Sequence, residues 1–100
     1  MNATKLLSSK QINPSKIIFQ ITAEEALSSI EEMLTEFSFN IDFSKLSKEE
    51  LEKLLFDYSD AVVTYHPDDY HQERAAILKN EKVLKKYGLT DTDIEDLDFT

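Results

Sequence analysis

Apolar residues recur at steps of three and four in three stretches of this chain. Ala23, Ala26, Leu27, Ile30, Met33, Leu34 and Phe37 form the first stripe, with Glu24, Glu31, Glu32 and Glu36 outside it. That spacing gives a helix one apolar face and predicts a helix over about 23–36. Thr22-Ala23-Glu24-Glu25 supplies its start: the Thr hydroxyl accepts from the Glu25 amide while Glu25 reaches back. The second stripe is Leu51, Leu54, Leu55, Tyr58, Ala61, Val62 and Tyr65, behind a second capping box at Ser47-Lys48-Glu49-Glu50. It predicts a helix over about 48–65, ended by Pro67, which forces the residue before it out of helical geometry. The third stripe is Ala76, Asn80, Val83 and Tyr87, flanked by Ile77 and Leu84. Asp68 or Asp69 caps its start and Gly88 stops it, predicting a helix over about 70–87. Asn80 lies within an apolar stripe, and a buried amide without a partner costs about 1–3 kcal/mol, so it needs a partner or an interface. Residues 89–97 read as a short C-terminal helix capped by Thr90 and docked through Ile94 and Leu97.

Two other stretches have a different rhythm. Lys16 to Ile21 is β-branched and aromatic and follows Pro14, which reads as a short strand. Residues 37–43 alternate apolar and polar, also a strand signature. The competing reading of 37–43 is a linker that pins its three Phe rings and Ile41 into a helical core. Residues 1–14 show no sustained period and read as a mobile arm. The pattern therefore gives a mainly α fold. Three amphipathic helices form a compact bundle, with a short C-terminal helix and up to two short strands (16–21, 37–43). A small α+β fold is the alternative. At 100 residues the chain reads as a single domain, 1–100.

Composition narrows the function classes. Hydrophobic residues make up 41% and ten residues are aromatic, enough for a real core. The chain has no Cys, which excludes disulfides and thiolate chemistry. No apolar run approaches the roughly 18 residues needed to span a bilayer. No signal-peptide pattern follows Met1, and the expected location is cytoplasmic. The net charge is −9. Phosphate backbones and anionic membranes repel such a chain, so neither direct nucleic-acid binding nor membrane binding is expected. Lys79, Lys82, Lys85 and Lys86 make a local basic patch, but no Arg accompanies it and the overall field opposes it. The charge suits a partner protein with a basic surface.

Candidate chemistry gathers at the corner between the second and third helices. His66, Asp68, Asp69, His71 and Glu73 are metal-ligand types, which raises a metal-dependent enzyme using His66 and His71 as an alternative. Against it, His66 precedes the helix start, so the two imidazoles need not converge. Tyr65-His66-Pro67-Asp68 resembles the His-Pro-Asp turn of J-domain co-chaperones, which also sits between two helices. In that family the preceding helix is basic, for docking on a chaperone partner. Here it carries Glu49, Glu50, Glu52, Asp57 and Asp60, so the resemblance stops at the turn. Gly88 is the single glycine and is used as a helix stop, which leaves no phosphate-binding loop. No nucleophile elbow is present either. The first expectation is a non-enzymatic module that inhibits, neutralises or regulates a partner protein, as an immunity protein, an antitoxin or a phage-encoded inhibitor. Its contact set is Tyr58, Tyr65, His66, Asp68, Asp69, Tyr70 and His71, exposed at the corner. The outer carboxylates could serve as mimics of a nucleic-acid backbone. No cofactor is implied. The second expectation is an assembly subunit forming homo-oligomers, with the period-two stretch 37–43 and an unpaired strand at 16–21 supplying the edge.

Overall fold

The computed structural model describes residues 2–39, 41–64 and 70–99, and within them all side chains but those of residues 63–64, 70–72 and 98–99. In chain order the elements are α1 (Ala3–Ser9), β1 (Ile17–Ile18), β2 (Ile21–Thr22), α2 (Ala23–Glu36), a 3₁₀ turn (Phe43–Lys45), α3 (Lys48–Thr64), α4 (Tyr70–Leu78), α5 (Glu81–Lys86) and α6 (Asp91–Phe99). The fold is mainly helical with one small antiparallel hairpin, as the sequence pattern predicts. Helix α3 packs on α2 and α4, α1 packs on α2, and α6 packs on α4. The radius of gyration is 12.5 Å, close to the roughly 13 Å of a compact chain of this length.

The capping boxes form as read. The Thr22 hydroxyl accepts from the Glu25 amide at 3.1 Å, and the Glu25 carboxylate accepts from the Thr22 amide at 3.1 Å. Ser47 and Glu50 do the same at 3.1 and 2.8 Å. Thr90 and Asp93 make a third such pair at the start of α6. Behind these starts, the predicted stripes face inward. Ala23, Ala26, Leu27, Ile30, Met33 and Leu34 of α2 are buried, as are Leu51, Leu54, Leu55, Tyr58 and Ala61 of α3. Each fully buried Leu or Ile contributes roughly 1.5–3 kcal/mol relative to exposure.

Three expectations are corrected, and of the two readings of residues 37–43 the linker holds. Residues 1–14 are not a loose arm. Asn2 caps α1 by accepting from the Lys5 amide at 3.1 Å, and Leu6, Leu7 and Ile12 join the core. Seven residues are too few to display a helical period in the sequence. Residues 37–43 hold no strand among their described positions. Phe43 is buried, while Phe37, Phe39 and Ile41 pack against the core, which is the linker reading. The predicted strand over 16–21 is a hairpin of two-residue strands, pairing Ile17 with Thr22 and Ile18 with Ile21. Finally, the helix predicted over 70–87 is broken into α4 and α5 at Lys79-Asn80. The Asn80 side chain turns toward α3, where its amide nitrogen donates to Asp57 at 3.0 Å. Its backbone amide bonds Ile77 rather than Ala76, which tightens the chain and ends the α-helical ladder.

Three described helices end by one device. The Ile12 amide donates to the Leu7 carbonyl, Phe39 to Leu34, and Leu89 to Leu84, each at 2.9 Å. This is the Schellman reversal, which needs a left-handed residue just before the donor. Gly88 fills that place at φ 145°, Gln11 at 62° and Ser38 at 62°. In each case the donor and acceptor are also apolar residues, so the reversal folds a large side chain back over the last helical turn.

The start of α3 is tied to the end of α5. Tyr87 donates its hydroxyl to Glu50 Oε1 at 3.0 Å, and Lys86 Nζ lies 3.8 Å from the other oxygen. The Ser47 amide, the Tyr87 hydroxyl and the Lys86 charge hold the Glu50 carboxyl below its ordinary range. A carboxyl whose folded pKa is depressed stabilises the fold above its unfolded pKa and loses that contribution as pH falls through the folded value. Urea midpoints measured down through pH 5 to 3 should therefore fall less steeply for Glu50→Gln than for the parent chain. Equal slopes would mean that Glu50 has no part in the acid response.

Candidate functional site

Asn13 and Pro14 place the hairpin. The Asn13 side chain accepts from the Ser15 amide and its carbonyl from the Lys16 amide, both at 3.0 Å. The Ala23 amide then donates to the Lys16 carbonyl at 2.8 Å, and Glu24 to Pro14 at 3.0 Å, which ties the hairpin to the first turn of α2. Two residues, Phe19 and Gln20, make the loop, and Phe19 has φ 59°. A two-residue hairpin loop with positive φ at its first position ordinarily takes Gly there. An aromatic residue held in that region costs about 1 kcal/mol. The Phe19 ring meets Phe56 of α3, with centroids 5.1 Å apart and planes tilted by 52°.

Beside this pair lies a groove of about 500 Å³ between β1 and α3. Ile12 and Leu55, both buried, line it, together with Lys16, Glu52 and Lys53. Ile17 is 68% exposed, Phe56 53% and Phe19 44%. These solvated apolar side chains lie adjacent to one another and are bordered by charge, which makes the patch a candidate interaction surface. The sequence points to its strand edge at 16–21 but not to the groove or to Phe56. Phe56 lies one position off the α3 stripe, and an aromatic residue outside its helix's apolar face was the available signal.

The carboxylates form a second surface. Glu24, Glu25, Glu32 and Glu36 of α2 and Glu49 of α3 are exposed, and Glu31 is half-buried. Ser28, Glu31, Glu32, Thr35 and Glu36 border a shallow depression on α2. The basic patch of α4 and α5 is partly neutralised. Lys85 pairs with Asp91 at 2.8 Å, and Lys86 lies near Glu50 and 5.1 Å from the centre of the Tyr87 ring.

Of the residues read as a contact set, Tyr58 is corrected. It is 4% exposed and belongs to the core, as its own place on the α3 stripe requires. Tyr65, His66, Asp68 and Asp69 lie outside the described residues, and Tyr70 and His71 are placed as backbone in the first turn of α4. Among the described residues no group of three or more His, Cys, Asp or Glu side chains converges to hold a metal ion. Among the same residues no helix is long and apolar enough to cross a membrane.

Asp57 marks the junction of α3 with the α4–α5 break. Its carboxylate accepts from Lys53 at 2.8 Å and from Asn80 at 3.0 Å, and Lys53 also reaches the Asn80 oxygen at 3.4 Å. These contacts hold the groove-bearing helix against its neighbours. No protein-family model, curated protein or solved structure matches the chain.

Proposed function

We propose that this protein is a small acidic protein-binding module that inhibits, neutralises or regulates a partner with a basic surface. An immunity protein, an antitoxin or a phage-encoded inhibitor is the concrete form of that reading. The observation that carries it is the run of outward carboxylates on α2 (Glu24, Glu25, Glu32 and Glu36), continued by Glu49 at the start of α3, in a chain of net charge −9. Charge of one sign over a helix face steers and selects an opposite partner more than it stabilises the fold. The corner between α3 and α4, with Tyr65, His66, Asp68, Asp69, Tyr70 and His71, is the proposed contact set. Tyr beside Asp suits the central contacts of a protein interface. Nucleic-acid mimicry fits the same charge pattern. The role is non-enzymatic and needs no cofactor, and the charge disfavours nucleic acid and membranes as partners. The cytoplasm is the proposed location. A second reading, an assembly subunit forming homo-oligomers, is favoured by the exposed hairpin.

The experiment is capture from the native host at low and high salt, followed by titration of the retained partner. The partner should be held at low salt and released as salt rises, because exposed charges are screened over about 8–10 Å near physiological ionic strength. Reversing Asp68 and Asp69 to Lys should weaken binding by about tenfold or more. Reversing Glu31 and Glu32 should weaken it less. Equal losses would assign recognition to diffuse charge, and a failure to retain any partner at low salt would remove the reading.

A further inference from the structure

The groove beside β1 differs from the acidic faces in charge. Lys16, Glu52 and Lys53 line it, and Lys53 is already paired with Asp57. Lys16 and Glu52 make no ion pair among the described residues. One unpaired cation and one unpaired anion thus border the same apolar depression. A basic partner surface would meet Lys16 and Lys53 here, so this groove does not suit the partner of the acidic faces.

The backbone of β1 adds a second asymmetry. Because the Lys16 carbonyl accepts from Ala23 and Ile17 stands opposite Thr22, the antiparallel alternation turns the Ile17 amide and carbonyl away from β2. Neither group bonds another described element. A residue that offers one outward donor and one outward acceptor is complementary to the same residue on a second antiparallel strand.

We infer that the groove between β1 and α3 is the contact face of a twofold dimer, and that its occupant is a second copy of this chain. Ile17 pairs with Ile17 of the second copy across the axis. Phe19 and Phe56 of each copy cover the apolar groove of the other. Lys16 of each copy faces Glu52 of the other. A twofold contact must be self-complementary, and both the charges and the strand edge meet that condition. The face also brings two strongly negative chains together where carboxylates do not oppose one another. Its three exposed apolar side chains offer roughly 350 Å² per copy. A standard interface buries about 800 Å² per partner. The contact is therefore a small one, and the dimer is weak and reversible.

Sedimentation velocity on the full chain tests this, from low micromolar to several hundred micromolar. The expected result is a reversible monomer–dimer equilibrium that tightens as salt screens the repulsion between two chains of charge −9. Phe19→Asn should abolish the dimer while leaving the far-UV circular dichroism unchanged, since Asn tolerates positive φ. Lys16→Glu and Glu52→Lys should each weaken the dimer about tenfold, and the two combined should restore it. A chain that stays monomeric throughout would overturn the inference. So would a dimer that survives Phe19→Asn, or one that the combined charge swap fails to restore. The inference rests on the second reading, homo-oligomers through the exposed hairpin, and not on the basic-partner reading. A dimer indifferent to Phe19→Asn would remove the inference and leave that second reading standing. The basic-partner reading expects binding to weaken with salt, so it and the inference fail on different measurements.

Discussion

Leu7→Ala should lower the unfolding free energy by about 3 kcal/mol. For a domain whose total stability is of the order of 5–15 kcal/mol, that is a large fraction. Leu7 is 0% exposed, so the substitution both removes buried apolar surface and leaves a cavity. Its carbonyl also closes the reversal that brings Ile12 over the end of α1, and Ile12 is itself in the core and in the wall of the groove. Urea denaturation should show a lower midpoint with an unchanged slope. Lys5→Ala, at an exposed position of the same helix, should move the midpoint by less than about 0.5 kcal/mol. If Leu7→Ala were equally silent, α1 would contribute nothing to the fold and residues 1–14 would be the mobile arm that their sequence suggests.

The second large effect is at Asp57. Asp57→Ala should cost about 2 kcal/mol, because it strands a buried donor. Asn80 is 3% exposed, and its amide nitrogen would keep only the long contact to the Ala76 carbonyl at 3.4 Å. Loss of the Lys53 pair adds little. Lys53 is 58% exposed, and such helix pairs contribute about 0.3–0.5 kcal/mol. A double-mutant cycle with Asn80→Ala separates the two contributions. Removing both partners should cost less than the sum of the single losses, by about 1 kcal/mol or more. A cycle that closes at zero would show that the break between α4 and α5 does not depend on this contact.

The same residues show what a sequence can and cannot disclose. The stripes of α2 and α3 were readable because each spans several turns and begins with a capping box. Asn80 was readable as a residue in need of a partner. Its consequence was not, because Asp57 lies 23 residues away and only the packing of α3 on α4 brings them together. The reversals at Gln11 and Ser38 carried no signal, since neither is Gly. Only the third, at Gly88, announced itself. The groove was hidden for a similar reason: Phe56 stands out as an aromatic residue off the α3 stripe, but only the fold brings Phe19 beside it.

The helix reversals also bear on how the chain acquires its structure. Helices α1 and α2 each turn back within a few residues of their ends, and the hairpin closes over two. Successive elements then pack in chain order: α1 on α2, α2 on α3, α3 on α4. Little loop entropy has to be given up before a contact is gained, which is the condition for folding in microseconds to milliseconds. A nascent chain can settle α1, the hairpin and α2 against one another before α4 has been synthesised. The later helices then add to a surface that already exists.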